Sequence, residues 1–333
     1  MKTSLFNDTT EDLKKAAEIL ANGGLVAFPT ETVYGLGANA LDPEAVGKVY
    51  KAKGRPSDNP MIVHISVKDD IYKIAAEVTE DMKLLMENCW PGPLTMVVKR
   101  KPIVPDVTTG DLDTVGVRLP NNDVARELIS LSGCPIAAPS ANLSGKPSPT
   151  TAQDVIEDMD GRIDGIIKSG DCQVGIESTV IDMTGETPMI LRPGKYTKED
   201  FEKILNKEVK LDPTLNKRPD TFNNDFVPKA PGMKYKHYAP KAEMTIFEGE
   251  HEKVKSAIND AKTALEAEGK KVVVIIFEEG EEEKAAHEFF RDLREADRNG
   301  ADVILAAALQ EEGFGFSVMN RMLKSAGFNI RRV

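Results

Sequence analysis

A proline-rich stretch without regular periodicity divides this chain into two parts. It covers residues 207–240 and contains five of the chain's 20 prolines. Prolines at this density interrupt helices and strands, so the stretch predicts a linker. A chain of 333 residues is also long enough for two domains. We therefore predict a first domain over residues 1–206, a linker over 207–240 and a smaller domain over 241–333.

The first part interleaves short helices and strands, although not in a strict strand-helix-strand order. Apolar residues with helical spacing over 11–22 precede the apolar run Leu25–Phe28, which predicts a buried strand. Further strands are predicted at 61–65, 94–98, 115–119, 135–138, 164–168 and 178–182, and further helices from Asp42 onward and at 79–88, 123–131 and 151–159. This irregular order predicts a mixed sheet.

The part after the linker has a regular rhythm. Predicted strands at 244–247, 272–277 and 303–305 alternate with predicted helices at 251–268, 282–296 and 317–326. Such alternation is typical of a compact α/β unit, and we expect a Rossmann-like arrangement.

Charge and cysteine content argue against several classes of protein. The net charge of −11 disfavours a dedicated duplex-binding protein, although it leaves room for one basic face. Three distant cysteines without a CxxC pair and four histidines without an HExxH pair predict no disulfide scaffold and no protein-bound metal. No apolar run approaches the ~20 residues that cross a bilayer. We therefore expect a cytoplasmic protein without membrane contact.

A cluster of cations is the first candidate for chemistry. Residues 48–55 contain four cations and no acid, whereas the phosphate-binding GxxxxGK[ST] and GxGxxG motifs and the GxSxG elbow are absent from the sequence. The cluster fits a solvated helix end, where cations interact favourably with the helix dipole. Spacing alone favours that interpretation, but the cluster also fits a turn in which Lys53 and Arg55 bind a polyphosphate.

Other polar residues follow apolar strands. Residues 138–148 form a loop of small and polar residues, which fits either an ordinary turn or an anion-binding surface. Arg118 ends an apolar strand, where a cation needs a partner or a ligand. Glu177 and Arg192 fit structural as well as functional roles, and His64 within an apolar strand is typical of a core histidine.

Three motifs, in this order, resemble the threonylcarbamoyl-AMP synthase family, also called YrdC-like. They are FPTETVYGLG at 28–37, KGRPSDNP at 53–60 and PSANLSG at 139–145. The family's KxR and SxN pairs are similar to Lys53/Arg55 and Ser140/Asn142. PGMKYKHYAP at 231–240 and the C-terminal part resemble the long, two-domain form. The resemblance covers essentially the whole chain and implies a twisted mixed α/β sheet with a concave basic face.

The resemblance implies a nucleotidyl transfer. L-Threonine, bicarbonate and ATP would give threonylcarbamoyl-AMP and pyrophosphate, with Mg²⁺ accompanying the ATP. A downstream tRNA threonylcarbamoyltransferase would then transfer the group to adenosine 37 of tRNA, which is the t6A modification. Positioning and charge neutralisation would carry the rate, without a side-chain nucleophile.

The resemblance also implies roles for individual positions. Positions similar to the family's threonine contacts are Thr32, His64, Arg118, Ala138 and Ser178. Positions similar to its nucleotide contacts are Arg55, Asn59, Thr114, Ser140, Asn142, Ser148 and Arg192. Lys53 and Arg55 would act in catalysis by neutralising the phosphates. A linker tyrosine, Tyr238 in first place and Tyr235 in second, would close over the nucleotide and exclude water.

Two alternatives to this enzyme stay open. A concave basic face also fits double-stranded RNA, which is held through backbone contacts, so an RNA-binding module is the main alternative and weak RNA binding a further expectation. A related carbamoyl-phosphate-consuming maturation enzyme would carry zinc-finger cysteines, which this sequence lacks. Pyrophosphate release from ATP in the absence of RNA would distinguish the synthase from the RNA-binding module.

Overall fold

The fold consists of a large mixed sheet and a small parallel sheet, both covered by helices. The structure, a computed structural model, describes residues 2–215, 228, 230 and 237–333. Within these residues the large sheet has eleven strands and the small sheet has four. This architecture confirms the predicted fold class of a mixed-sheet domain followed by a smaller α/β domain.

The large sheet is built from residues before the predicted linker and from its first residues. Its strands are β1 (Ser4–Asn7), β2 (Val26–Phe28), β3 (Gly35–Asn39), β4 (Ile62–His64), β5 (Leu94–Lys99), β6 (Thr114–Arg118), β7 (Ile136–Ala137), β8 (Gly165–Lys168), β9 (Thr179–Asp182), β10 (Met189–Arg192) and β11 (Lys210–Leu211). Their order across the sheet is β1-β8-β2-β3-β7-β4-β6-β5-β9-β10-β11. The sheet contains parallel neighbours such as β4 and β6 as well as antiparallel neighbours such as β4 and β7.

The helices of this part lie between the strands in sequence. They are α1 (Thr10–Ala21), α2 (Pro43–Lys53), α3 (Ile71–Ile74), α4 (Glu80–Cys89), α5 (Asp106–Thr109), α6 (Asp123–Ser132), α7 (Ala152–Met159) and α8 (Lys198–Leu205), with a 3₁₀ turn at Lys68–Asp70. Helix α2 shows how the sequence sets their ends. The Asp42 side chain accepts hydrogen bonds from the first turn, Pro43 occupies the start, and Gly54 ends the helix with a left-handed φ of 64°.

The C-terminal unit, defined as β12 to β15 with α9 to α11, forms the small sheet. Its strands are β12 (Glu243–Glu248), β13 (Val272–Ile275), β14 (Val303–Ala307) and β15 (Ile330–Arg332), all parallel in the order β13-β14-β12-β15. Its helices are α9 (His251–Ala267), α10 (Glu282–Arg298) and α11 (Gly313–Ser325). Helix α11 begins at Gly313, four residues before the predicted start at 317. The glycine-rich stretch before 317 is therefore part of the helix.

The elements that the sequence analysis did not predict are β1, β3, β10, β11, β15, α3, α5, α8 and the 3₁₀ turn. Strand β1 is largely exposed and therefore lacks an apolar period, and β10 is short. Strand β3 is rich in glycine, which disfavours strands. A Cβ at Gly37 would lie 2.8 Å from Ile136 and 2.9 Å from Phe28, so the close approach of these strands requires glycine there. Helix α8 has a capping box at Thr197 that the sequence analysis overlooked.

The C-terminal unit packs directly against the first part of the chain. Its apolar core includes Val33, Ile176 and Tyr238, which come from outside it. Strand β11 lies within the range 207–240 assigned to the linker, so the large sheet continues a few residues into that range. The division into domains stays a prediction.

No helix within the described residues is both long enough and apolar enough to cross a membrane.

One glycine marks where the two parts approach most tightly, and it gives the first testable prediction. Gly175 has φ of 85°, and a Cβ there would lie 2.3 Å from the carbonyl oxygen of Ala286 on α10. Left-handed backbone costs about 1–2 kcal/mol and overpacking about 1–3 kcal/mol, so we expect Gly175→Ala to lower the free energy of unfolding by about 2–5 kcal/mol. Urea denaturation measures this change.

Gly170→Ala is the matched control. Gly170 is exposed, and nothing lies within 4 Å of a Cβ placed there. We expect a change within about 0.5 kcal/mol. Equal midpoints for the two variants would contradict the assigned close contact.

Candidate active site

One cavity gathers most of the polar residues singled out in the sequence. It opens beside the carboxyl-terminal ends of β4 and β6 and the loop that follows β7. Its lining residues are Thr30, Val33, Gly35, Lys53, Arg55, Ile62, His64, Arg118, Ala138, Pro139, Ser140, Asn142, Ser144, Gly145, Glu177, Arg192, His237 and Tyr238. Neighbouring strands that end at the same edge of a sheet bring such side chains together.

His64 and Arg118 are held side by side by the register of two parallel strands, β4 and β6. Arg118 Nη2 donates a hydrogen bond of 2.6 Å to Glu31 Oε2, and both side chains are at most 5% exposed. Glu31 is therefore the partner that a cation at the end of an apolar strand requires. Arg118 Nε has no hydrogen-bond partner among the described residues, which leaves one donor of this guanidinium for a ligand.

Burial and the nearby Arg118 lower the pKa of His64 to about 3. The imidazole is therefore neutral at physiological pH. Its Nδ1 lies 3.1 Å from the carbonyl oxygen of Ile62. A neutral histidine beside a guanidinium adds a hydrogen-bonding group to this end of the cavity without a second positive charge.

Lys53 joins the end of α2 to the loop after β7. Its Nζ donates to the carbonyl oxygens of Ser140 and Asn142, each at 2.5 Å. The Ser140 hydroxyl in turn donates to the Asn142 side-chain oxygen at 2.5 Å. Burial and the neighbouring Arg55 lower the pKa of Lys53. The lysine of the KxR pair thus meets both residues of the SxN pair in one hydrogen-bonded group.

Arg55 lies in the turn after α2, next to this group. Its guanidinium donates to the carbonyl oxygens of Asn59 at 3.3 Å and Pro60 at 3.1 Å. Burial lowers the pKa of Arg55 to about 10, so it stays charged at neutral pH. The turn thus holds a second cation at the cavity wall.

Among the described residues that line the cavity, Glu177 is the only carboxylate. Its Oε1 accepts a hydrogen bond of 2.6 Å from Ser148, and its Oε2 accepts one of 3.0 Å from Arg321 of the C-terminal unit. Burial alone would raise the pKa of Glu177, but Arg321, Arg192 and the Ser148 hydroxyl lower it to about 2. The carboxylate is therefore ionised and already neutralised by arginines.

Arg192 approaches the cavity from the end of β10. Its Nε donates to the Ser178 carbonyl oxygen at 3.0 Å and its Nη2 to the Ser178 hydroxyl at 3.1 Å. Burial lowers the pKa of Arg192 to about 10, which still leaves a cation. Arg192 is the fourth cation in the cavity wall, after Lys53, Arg55 and Arg118.

Tyr238 closes one side of the cavity. It is 5% exposed and has a left-handed φ of 64°, which is uncommon for a bulky residue. Its ring packs against Phe290 of α10 with 5.0 Å between ring centroids. Burial and the nearby Glu177 raise the pKa of Tyr238 to about 12. Tyr235, the second candidate, lies outside the described residues.

The structure places the predicted site residues in two groups. Those that line the cavity are Lys53, Arg55, His64, Arg118, Ala138, Ser140, Asn142, Arg192 and Tyr238. Those that do not line it are Thr32, Asn59, Thr114, Ser148 and Ser178.

Four members of the second group, all except Thr114, are hydrogen-bonded to residues that line the cavity. Thr32 shares a buried hydrogen bond with Thr30, and Ser178 shares one with Thr95. Ser148 is bound to Glu177, and the Asn59 carbonyl is bound to Arg55. Thr114 is the first residue of β6 and is half-buried. The roles assigned to these residues stay predictions.

Sequence reasoning missed two partners in this site. Glu31 is an acid inside the FPTETVYGLG motif. The need of Arg118 for a partner could therefore have pointed to it. Arg321 follows the linker by some 80 residues in a helix, and nothing in its sequence context points to the cavity. The three cysteines are free thiols. Within the described ranges, no group of three or more His, Cys, Asp or Glu side chains is arranged to hold a metal ion.

Comparisons with known proteins cover both parts of the chain. Residues 18–194 match the family model described as "Telomere recombination", and residues 196–327 match the model described as "Threonylcarbamoyl-AMP synthase, C-terminal domain". The chain is 48% identical over 332 residues to the threonylcarbamoyl-AMP synthase of Pyrococcus abyssi, covering 96% of each chain. It is 41% identical to that of Bacillus subtilis, covering 100% of both.

A solved structure is similar over the same length. The crystal structure of P. abyssi Sua5 complexed with L-threonine superposes with a TM-score of 0.93 at 45% identity, covering 100% of both chains.

The buried histidine yields a prediction about stability and pH. In the unfolded chain His64 has its ordinary pKa of 6.5, whereas in the fold the pKa is about 3. The unfolded state therefore takes up the proton first, and stability is lost as the pH falls below about 6.5. At pH 5 this loss amounts to about 2 kcal/mol. Because glutamine does not titrate, we expect the His64→Gln variant not to show the part of this pH-dependent loss of stability that comes from His64.

Urea denaturation of both proteins at pH 7.5 and pH 5 measures the difference. The wild type should lose about 2 kcal/mol more than the variant between these two values. An identical loss in both proteins would mean that His64 titrates normally in the fold.

Proposed function

The chain belongs to the threonylcarbamoyl-AMP synthase family, and on that premise we propose that it converts L-threonine, bicarbonate and ATP to threonylcarbamoyl-AMP and pyrophosphate. The amine of threonine adds to the carbon of bicarbonate-derived CO₂ and loses a proton, which gives a carbamate. A carbamate oxygen then attacks the α-phosphorus of ATP, and the bond to the leaving pyrophosphate breaks. This product is the first intermediate of the t6A modification of tRNA.

One observation carries the proposal: among the residues that the structure describes, four basic side chains line a single cavity, and the one carboxylate beside them is already neutralised. Lys53, Arg55, Arg118 and Arg192 line it together with Glu177. An excess of positive charge in a partly closed site suits two anionic substrates, the carboxylate of an amino acid and a triphosphate. Electrostatic stabilisation of this kind is the main contribution to catalysis in phosphoryl and nucleotidyl transfer.

Threonine is assigned to the end of the cavity that contains His64 and Arg118. The open Nε donor of Arg118 suits the substrate carboxylate, while Glu31 holds the other side of the guanidinium. The full set of threonine contacts that we propose is Thr32, His64, Arg118, Ala138 and Ser178. A neutral His64 is compatible with an amine that must lose its proton before it attacks carbon.

The nucleotide is assigned to the end that contains Arg55 and Arg192. The proposed contacts are Arg55, Asn59, Thr114, Ser140, Asn142, Ser148, Arg192 and Tyr238. Lys53 and Arg55 neutralise charge on the phosphates during transfer. Tyr238 closes this end of the cavity and shields the carbamate from bulk water.

Magnesium enters with the substrate. Both oxygens of Glu177, the one carboxylate among the lining residues, already accept hydrogen bonds from protein groups. These residues do not form a cage for a resident cation, whereas Mg²⁺ binds readily through phosphates and water. We therefore write the nucleotide substrate as its magnesium complex.

The product has to reach a second protein. Threonylcarbamoyl-AMP is a reactive mixed anhydride, so a tRNA threonylcarbamoyltransferase is the partner that we propose to consume it. We propose that the reaction takes place in the cytoplasm, because Cys89, Cys134 and Cys172 are free thiols, as is usual in a reducing compartment.

The alternative of an RNA-binding module is not favoured, since the relatives of full length are named as synthases. Weak RNA contact by the same protein stays a secondary proposal.

The activity is tested by incubating the protein with ATP, Mg²⁺, L-threonine and labelled bicarbonate in the absence of RNA. We expect pyrophosphate release that depends on threonine and bicarbonate, together with a labelled adenylate. A protein that binds double-stranded RNA and releases no pyrophosphate would support the RNA-binding alternative instead.

Substitution of the phosphate-binding arginine gives a quantitative prediction. Arg55→Ala should lower turnover by about 10²–10³, the loss typical of one preorganised donor to the transition state. Lys51→Ala is the matched control, because Lys51 is an exposed cation of the same helix, α2. Turnover of the Lys51→Ala variant should match that of the wild type. Wild-type turnover in Arg55→Ala would refute the proposed role.

Discrimination between amino acids tests the threonine assignment. A site that hydrogen-bonds the threonine hydroxyl should reject valine by up to about 10⁴–10⁵ in kcat/KM, because valine leaves its polar groups unpaired. Serine lacks only a methyl group and should lose about 10–200-fold. Competition assays with the three amino acids measure these ratios. Valine used as well as serine would contradict the assignment.

A further inference from the structure

Side chains of the C-terminal unit hold segments that border the active-site cavity. Arg294 on α10 donates to the carbonyl oxygen of Pro147 at 2.7 Å, next to Ser148. Ser317 on α11 donates to the carbonyl oxygen of Gly194 at 2.8 Å. Both bonds are buried. The cavity wall therefore rests partly on a unit that contributes none of the proposed substrate contacts.

Arg321 of α11 reaches a cavity residue directly. Its Nε donates to Glu177 Oε2 at 3.0 Å, and its Nη1 donates to the Pro193 carbonyl oxygen at 2.7 Å. The arginine side chain is fully buried, and Glu177 is 7% exposed. The second oxygen of Glu177 accepts the hydrogen bond of Ser148. One guanidinium thus fixes Glu177 and also the segment that follows Arg192.

Stability alone does not account for such a pair. The cost of removing both charges from water largely offsets their attraction, so an apolar pair of similar volume is often as stable. What the ion pair provides is geometry. A carboxylate bound at both oxygens holds the Ser148 hydroxyl in one direction, and it does so at the wall of the cavity.

We propose that Arg321 is a positioning residue for the nucleotide end of the active site. Through Glu177 it orients Ser148, and through Pro193 it fixes the segment that carries Arg192. This inference rests on the proposed function, because Ser148 and Arg192 are two of its nucleotide contacts. The C-terminal unit thereby completes a site whose substrate contacts all lie outside it.

The first test compares steady-state kinetics of the full-length wild type with Arg321→Met and Arg321→Lys. We expect Arg321→Met to lower kcat by about 10–100-fold, as is usual when the support of a binding residue is removed, and to raise the KM for ATP. The KM for threonine should change by less than about threefold, because Arg118 and His64 are untouched. Arg321→Lys keeps the charge and should recover part of the loss. Loss of kcat with both KM values unchanged would indicate misfolded enzyme and overturn the proposal.

Double substitution tests whether Arg321 acts through Glu177. Glu177→Gln removes the charge that Arg321 neutralises, so adding Arg321→Met to it should cost little more in kcat/KM for ATP. Residues that act as one unit show such non-additive effects. Losses that multiply would mean that the two residues act independently, which contradicts the proposal.

The matched control is Arg298→Gln. Arg298 lies on α10 and also bridges to the first part of the chain, through Asp154 at 2.8 Å and Glu157 at 3.4 Å, but it does not border the cavity. We expect wild-type kinetics. A KM shift for ATP in this variant as large as that in Arg321→Met would assign the effect to domain docking in general and overturn a specific role for Arg321.

Hydrogen exchange of the ligand-free proteins separates failure of this inference from failure of the proposed function. We expect Arg321→Met to lose amide protection around residues 147–150 and 176–180, and Arg298→Gln to keep it. Unchanged protection in Arg321→Met would overturn the positioning role whether or not the wild type is active. An inactive wild type with the expected exchange pattern would refute only the proposed function.

Discussion

Burying basic side chains around one cavity is the constraint on which this candidate active site depends. Moving a guanidinium or ammonium group out of water costs several kcal/mol, so each cation needs acceptors at short distance. The structure supplies them in different ways. Arg118 binds the carboxylate of Glu31, whereas Lys53 binds two backbone carbonyl oxygens. Because the acceptors belong to segments distant in sequence, each bond also fixes the position of a loop.

The mixed sheet explains why these loops meet at one place. Strands β4 and β6 are parallel neighbours, so His64 and Arg118 stand at the same end in register. Strand β7 is antiparallel to β4, and the loop that follows it returns over the end of α2, where Lys53 binds it. Because β7 is antiparallel to β4, the carboxyl end of β7 lies beside the start of β4, which the turn after α2 precedes. The hydrogen bonds of Lys53 thus join the end of α2 to the loop after β7, two segments that the topology already places close together.

Local rules allowed much of this fold to be predicted from the sequence, and long-range contacts account for what was missed. The ends of α2 follow from Asp42, Pro43 and Gly54, which act within a few residues of the helix they bound. The need of Arg118 for a partner was also predictable, since charge burial is costly at any position. The identity of that partner was not, because residue types alone do not state which acid lies across the sheet. Strand β1 was not predicted, because its own side chains are exposed and show no strand pattern. Its strand conformation follows from pairing with β8.

The C-terminal unit is the clearest case of information that sequence motifs do not contain. Every proposed substrate contact precedes it, yet Tyr238 takes a left-handed conformation and is packed against Phe290 from that unit. Such a conformation costs on the order of 1–3 kcal/mol and persists only where surrounding contacts hold it. Phe290 supplies one such contact, and Arg321 from the same unit binds Glu177 in the cavity wall. Two cavity residues, Tyr238 and Glu177, are thus held by contacts from the second unit.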